Sequence, residues 1–467
     1  MTERLAPART TPTAVVLGGS LAGLLAARAL AEHANVTVIE RDTFPKGPQP
    51  RKGLPQAQHV HLFWSGGADA VERLLPGTTH RLTTAGAHRL ALPTHMVAYS
   101  PRGWFRRWAE SHYMILCSRD LLDWTVREQV LAGHRITVLE GAEVLGLTGD
   151  AAAVTGARVR TADGADLTVS ADLVVDATGR TSRAPEWLTS LGTARPAVRE
   201  VDAGLVYASR IYQAPRDTWE HFPAVLVQAD PRVPGPGQAG GLVPIEGGRW
   251  LCTMSGTRGG EPTKDAEAFE EFARRLRDPI VGELLAQAQP LTDVVVSRST
   301  INRRHFYEKI RNWPEGFLVT GDAVAAYNPV YGHGMSVAAQ SALAMRKLIR
   351  QHGWGTPGLA RRIQKAVARP VSAAWDLATG QDVFYPGATE SGPTLQEKLQ
   401  AGYVNRLIYT STGNGRVART VTDVITLQKG SHVLVKPSML LAAAIGPLRP
   451  QLTRPPLTAE ELKASNA

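Results

Sequence analysis

The sequence predicts an α/β protein with an α+β insert: a discontinuous Rossmann-like nucleotide domain, interrupted by an inserted antiparallel sheet and followed by a C-terminal helical segment. Three observations lead there. Residues 14–40 run from a short apolar strand through a small-residue turn into an Ala/Leu-rich helix, then into a second strand that ends in an acid. Two more short buried strands, 171–175 and 316–321, return to that texture far downstream. Between them, residues 201–254 alternate as antiparallel strands do.

The first element carries the most chemistry. The strand 14–17 enters a turn at Gly18, Gly19, Ser20 and Gly23, and a helix follows to about residue 33. The second strand, 36–39, ends in Glu40. A tight glycine turn, a helix N-terminus for a pyrophosphate and an acid for a ribose hydroxyl form the dinucleotide fingerprint. The Gly-x-Gly-x-x-Gly pattern falls on Gly18, Ser20 and Gly23, so serine replaces the middle glycine. Glu40 lies 40 − 18 = 22 residues after Gly18, close to the usual spacing of about 20.

The loop 45–55 is rich in Pro, Gly and basic residues, and 60–75 reads as a helix. A β-like stretch, 88–115, is broken by Pro93 and the turn at 101–103. Ser118 is placed to cap a helix over 119–131, amphipathic through Leu121, Leu122, Trp124 and Val130. Strands are expected at 136–140 and 143–147, a hairpin from 152–160 and 165–169, and a buried strand at 171–175 before Asp176. Further strands are expected at 201–212, 224–228 and 241–254, with Gly247-Gly248 as a hairpin turn. Helices follow at 265–277, 280–288 and 336–350. The nucleotide domain is thus assigned 1–80, 116–195 and 301–380, the inserted substrate domain 81–115 and 196–300, and the helical segment 381–467. Gly413-Asn414-Gly415 begins a second Gly-x-Gly-x-x-Ala match, but no strand ending in an acid follows, so it reads as a loop between helices. The Pro-rich tail 449–467, with a capping-box pair Thr458 and Glu461, reads as peripheral.

Charge narrows the partners. With 52 basic and 42 acidic residues the net charge is 52 − 42 = +10, which suits phosphorylated cofactors, carboxylate substrates or an acidic carrier protein. The basic residues are dispersed, which argues against nucleic acid. Cys117 and Cys252 form no metal or redox spacing, as expected of a reduced cytoplasm. The first thirteen residues lack the apolar run of a signal peptide. Residues 433–448 are apolar but broken by Lys436, Pro437 and Pro447, so no stable membrane insertion is expected. His59 and His61 have a ligand-like spacing without a third partner, and no metal is expected.

Two further motifs specify the cofactor. One is Asp176-Ala177-Thr178-Gly179-Arg180 after its strand; the other is Gly321-Asp322-Ala323, continuing through Asn328-Pro329-Val330-Tyr331-Gly332-His333-Gly334-Met335-Ser336. With the fingerprint, they resemble the three flavin motifs of single-component (group A) flavoprotein monooxygenases of the p-hydroxybenzoate hydroxylase type, over residues 14–380. A narrower likeness, carried by residues 60–68, 255–262 and 297–304, is to the polyether epoxidases of the monensin and lasalocid pathways. The resemblance implies FAD as cofactor, NAD(P)H and O2 as co-substrates, and transfer of one oxygen through a C4a-hydroperoxyflavin. It implies cofactor contacts at Gly18, Gly19, Ser20, Leu21, Ala22, Gly23, Glu40, Arg41, Arg51, Lys52, Arg119, Val144, Asp176, Gly179, Gly321, Asp322, Pro329, Gly332, His333, Gly334 and Met335. In that family the Asp322 position binds the ribityl hydroxyls, and the helix starting near Gly334 directs its positive end at the flavin N1–C2 carbonyl. Thr178 stands where the family usually carries an acid. Trp64, Tyr207, Met254 and Tyr331 are candidates to line the substrate pocket.

The implied activity is epoxidation of a linear polyene polyketide, free or bound to an acyl carrier protein. Hydroxylation of an aromatic polyketide shares the whole cofactor argument, but no base motif suited to a phenol is evident. A flavin-bound, non-redox cyclase is a third use of the same scaffold, and a basic binding module without catalysis a fourth.

Overall fold

A computed structural model of the chain describes residues 11–216 and 222–461. Its centre is a five-stranded parallel sheet in the order Phe317–Val319, Leu173–Asp176, Thr13–Leu17, Asn35–Ile39, Ile136–Leu139. Thr13–Leu17 lies in the middle, Val16 facing Val38 on one side and Val175 on the other. Ala14 to Leu17 are all buried, the unbroken apolar run expected of a parallel strand covered on both faces. The fingerprint helix Leu21–Leu30 follows, and its alanines bring it against the long helix Gly334–His352. The helix Arg119–Leu131 packs beside it, capped by Ser118, whose hydroxyl accepts from the Leu121 N–H at 3.2 Å.

The second layer is an eight-stranded, mainly antiparallel sheet. Val206–Gln213, Arg249–Gly256, Gln238–Ile245 and Ala224–Val227 form its body, and Met96–Ser100 joins parallel to Ala224–Val227. Gly247 and Gly248, with φ of +76° and +65°, close the hairpin as expected. The helices Ala266–Arg274 and Ile280–Leu285 cover one face, burying Trp250, Phe269 and Phe272 between them. The other face meets the small sheet of Phe63–Trp64, His112–Leu116 and His88–Leu92 through Leu251, Val243 and Ile245.

Two expectations change. The helix read over 60–75 begins only at Ser65, because Phe63–Trp64 pairs with Met114 and Ile115 as a strand. Residue 60 is drawn out of helix by the inserted sheet: the Val60 N–H donates to the Thr253 hydroxyl at 2.9 Å. The tail is also less peripheral than it reads. Leu452 forms an antiparallel bridge with Trp104, and Arg107 donates to both oxygens of Glu461. This cover protects the otherwise open Gly103–Trp104 edge.

The C-terminal layer comprises Leu395–Ser411, Gly415–Ile425 and Pro437–Ile445, with its own cluster of Leu407, Val417, Val421, Met439 and Ala443. Asn414 caps the middle helix by accepting from Arg416 and Val417, which places the second glycine pattern between helices. Among the described residues no helix is long and apolar enough to cross a membrane, and no group of three His, Cys, Asp or Glu could hold a metal ion.

Candidate cofactor and substrate site

The turn after Thr13–Leu17 leaves no room for a side chain at Gly18 or Gly23. A Cβ on Gly23 would stand 1.8 Å from the Gly18 carbonyl oxygen, and Gly18 itself has φ +100°. Ser20, in place of the middle glycine, has φ −86° and ψ −176°, an ordinary extended conformation. No side chain caps the fingerprint helix, so the N–H groups at Leu21 and Ala22 are left for a ligand.

Glu40 is anchored beside this turn. It accepts from the Gly19 N–H at 2.7 Å and the Asp42 N–H at 2.9 Å, and pairs with Arg51 at 3.0 Å. Arg51 is buried, donates to the Gly19 carbonyl at 3.2 Å and meets Asp123 at 3.5 Å. It is a strut under the turn, not a solvated loop residue. Its neighbour Lys52, like Arg41, is exposed. Arg127 completes the ionic set, paired with Asp123 at 2.5 Å. Val144 is half-buried on the strand Glu143–Gly149, against the main core.

Arg119 is different. It is only 6% exposed, and among the described residues its Nε has no hydrogen-bond partner and no ion pair within 4 Å holds its guanidinium. Desolvation lowers its pKa, opposed by the carboxylates of Asp123 and Asp322. A buried charge without partners is costly, and a polar cofactor along the fingerprint would relieve it.

The second motif works through its turn. Asp176 is fully buried, accepting from the Thr178 N–H at 2.9 Å, the Thr178 hydroxyl at 2.6 Å and the Ser182 hydroxyl at 2.5 Å. Its carboxylate therefore shapes the turn that carries Gly179. Thr178, which replaces the family's acid, serves the same turn. Gly179 has φ +81° and open space beyond its Cα.

In the third motif, Gly321 has φ +63°, and a Cβ there would come 2.7 Å from the Ala22 methyl. Asp322 is turned outward with its side chain 39% exposed, and the Nε of Arg180 lies 3.9 Å from it. Arg180 is held by the carbonyls of Ile301 and Tyr327. The helix Gly334–His352 starts beside Asp322, the Cβ position of Gly334 lying 3.7 Å from Oδ1. Pro329 and Gly332 are half-exposed and Met335 is buried. His333 is buried within hydrogen-bond distance of the Ile425 carbonyl through Nε2, and burial lowers its pKa to about 4.

Strand parity decides which sheet residues face this loop. Tyr207 pairs with Ser255 and Ser209 with Thr253 on one face, Ala208 with Met254 on the other. Met254, fully buried with Phe269 and Leu276 in the helix-covered core, is therefore not a pocket residue. Tyr207 donates to the Asn328 side chain, and the indole N–H of Trp64 donates to the Tyr331 carbonyl at 3.0 Å. His59 Nδ1 lies 2.7 Å from the Ser209 hydroxyl, itself 2.6 Å from that of Thr253.

Behind this wall lies a residue that sequence reading missed. Asp382, 4% exposed, ends the helix Leu359–Asp382. It accepts from the amides of Asn302 and Asn328 at 2.8 Å each, and from the Tyr331 hydroxyl at 3.3 Å. Burial raises its pKa to about 6 against those hydrogen bonds.

Comparison with known proteins accords with this geometry. A family model described as an FAD binding domain matches residues 10–369. Protein Rv3254 of Mycobacterium tuberculosis (strain ATCC 25618 / H37Rv) is 29% identical over 393 residues, covering 80% of this chain and 81% of that protein. The structure of the flavin-dependent brominase Bmp2 superposes with a TM-score of 0.67 at 15% identity, over 93% of this chain and 98% of that one. p-Nitrophenol 4-monooxygenase PnpA from Pseudomonas putida DLL-E4 gives 0.61 at 15% identity, over 90% and 99%. At such identities the two structures speak to the fold alone.

Proposed function

The chain belongs to the FAD binding domain family, and on that premise we propose that it is an NAD(P)H- and O2-dependent monooxygenase that epoxidises alkenes of a linear polyene polyketide acid. The observation that carries the substrate class is the neutral wall facing the 329–334 loop. Tyr207, on Asn328, and the indole of Trp64, on Tyr331, touch it, with the Ser209 and Thr253 hydroxyls on the same sheet face against His59 and Val60. Burial lowers the His59 pKa to about 4, so its imidazole is uncharged at neutral pH. An alkene loses no proton on epoxidation, so such a wall suffices.

Bound FAD would supply the redox chemistry, taking hydride from NAD(P)H and activating O2. The net reaction balances as alkene + O2 + NAD(P)H + H+ giving epoxide + water + NAD(P)+. The N-terminus of Leu21–Leu30 would hold the pyrophosphate, Glu40 the adenosine ribose, and Arg119 and Asp322 the polar chain between the two rings. Gly332 and Gly334 would let backbone approach the flavin ring, while Trp64 and Tyr207 exclude water from the reacting face. The net charge of +10 supports delivery of the acid by an acidic acyl carrier protein, in which case added salt slows turnover of the tethered substrate more than that of the free acid.

One observation favours a second reading. The Tyr331 hydroxyl donates to buried Asp382, an arrangement able to take a phenol proton through the tyrosine, as aromatic hydroxylation requires. The test is NADPH and NADH oxidation by the FAD-loaded enzyme with a linear polyene acid or a polyphenol, products read by mass. Polyene-stimulated oxidation with one oxygen gained per event supports epoxidation, and stimulation by the phenol alone supports hydroxylation. Conversion without NAD(P)H use or mass gain would make the scaffold a cyclase and refute the proposal.

A further inference from the structure

The C-terminal layer concentrates the exposed apolar surface of the molecule. Among the described residues, eight of the thirteen large hydrophobic side chains that are exposed lie between Leu395 and Leu448. The helix Pro437–Ile445 carries no charge: it packs Met439 and Ala443 inward and presents Leu440, Leu441 and Ile445 outward, the last two 63% exposed. Leu448, 71% exposed, follows directly. A helix apolar on every side is ordinarily buried or seated against lipid.

A second helix lengthens this surface. Along Leu395–Ser411, steps of four and three put Leu395, Leu399, Tyr403 and Arg406 on one stripe. The Tyr403 hydroxyl donates to the Leu434 carbonyl, and Arg406 donates to the carbonyls of Ala443 and Ala444. Exposed Leu395 and Leu399 therefore continue the ridge beyond Tyr403, by about 12 Å at 1.5 Å per residue.

Charge says what covers this ridge. Residues 424–459 contain no Asp or Glu, but they contain Lys429, Lys436, Arg449 and Arg454. Lys429 is taken by Asp423, whereas Lys436 is exposed at the start of the apolar helix and Arg449, exposed beyond its end, lays its guanidinium 5.1 Å over the Trp108 ring. A two-fold pairing of this helix with itself would bring these cations together with no carboxylate from the segment between them. An anionic lipid surface matches both properties: apolar side chains sink among the acyl chains while Lys436 and Arg449 meet headgroups. We propose that Pro437–Ile445, with the Leu395–Leu399 ridge, docks the protein peripherally on an anionic membrane. At nine residues the helix is far short of the roughly 20 needed to span a bilayer, so it lies along the surface.

The test is vesicle flotation of the full-length, FAD-loaded protein with phosphatidylglycerol/phosphatidylcholine vesicles against pure phosphatidylcholine, at low and high salt. Wild type should float with the anionic vesicles at least about tenfold more than with the neutral ones, and salt should weaken that binding. Leu441→Gln with Ile445→Gln should cut flotation about tenfold at unchanged melting temperature, since both side chains are already in solvent. Lys436→Gln should give an intermediate loss. Equal flotation of wild type and the double variant, or none with either vesicle, overturns the proposal. So does a concentration-dependent dimer in sedimentation that the double variant abolishes, since the ridge would then belong to a second copy of the chain.

Discussion

Glu40 and Asp382 are both buried carboxylates, yet their surroundings share almost nothing. Glu40 belongs to an ionic cradle, tied to Arg51, which also meets Asp123, with Arg119 left unpaired close by. Among the described residues Asp382 receives only neutral donors, two amides and a phenol. The contrast separates two tasks. A site for a charged dinucleotide is charged and rigid before the ligand arrives, whereas the proposed alkene site would keep the Asp382 carboxylate behind a tyrosine.

The harshest way to break the cradle is Gly23→Val, because a Cβ there meets the Gly18 carbonyl oxygen at 1.8 Å. Loss of soluble protein, or protein without flavin absorbance, is the expected result. Arg119→Met tests the cradle more finely. Without its charge, FAD should bind about 10- to 100-fold more weakly, the equivalent of roughly 1.5–3 kcal/mol for hydrogen bonds to a charged group. The cofactor-free protein should meanwhile melt no lower than wild type, since a buried unpaired cation has been removed. Fluorescence titration with FAD and thermal melts read the two effects separately.

On the other side of the comparison, Asp382 sets a pH dependence. Its pKa is raised from 3.8 to about 6, so the folded state holds this proton more tightly than the unfolded one. That contribution is complete below the unfolded pKa and is lost as pH rises through 6, by at most about 3 kcal/mol at 1.36 kcal/mol per unit. Asp382→Asn should therefore flatten the fall of melting temperature between pH 4 and 7. An unchanged slope would place the titration elsewhere. The smallest effect belongs to Met254→Leu, which should cost less than about 1.5 kcal/mol and leave the KM for substrate unchanged. Tyr207→Phe, from the opposite face of the same sheet, should alter KM or kcat.

How much of this was legible depends on how local each feature is. The strand, turn, helix and acid of residues 14–40 are contiguous, so sequence alone located the cradle turn and Glu40. Ser118 announced its helix for the same reason. Arg51 was placed near the cofactor, but its burial depends on Asp123, seventy-two residues away. The Asp382 network draws Tyr207, Asn302 and Asn328 from three other segments, and no spacing or period links them. Met254 was misassigned because alternation tells which residues share a face, not which face meets the loop. The start of the helix at Ser65 was missed because the bond from Val60 to Thr253 is a tertiary contact competing with a local preference.

The most direct test of the account is turnover under isotopically labelled dioxygen. FAD-loaded enzyme, NADPH and a linear polyene acid should yield an epoxide carrying one labelled oxygen per NADPH consumed, with the second labelled atom in water. Product of unchanged mass, or oxygen drawn from solvent water, would contradict it.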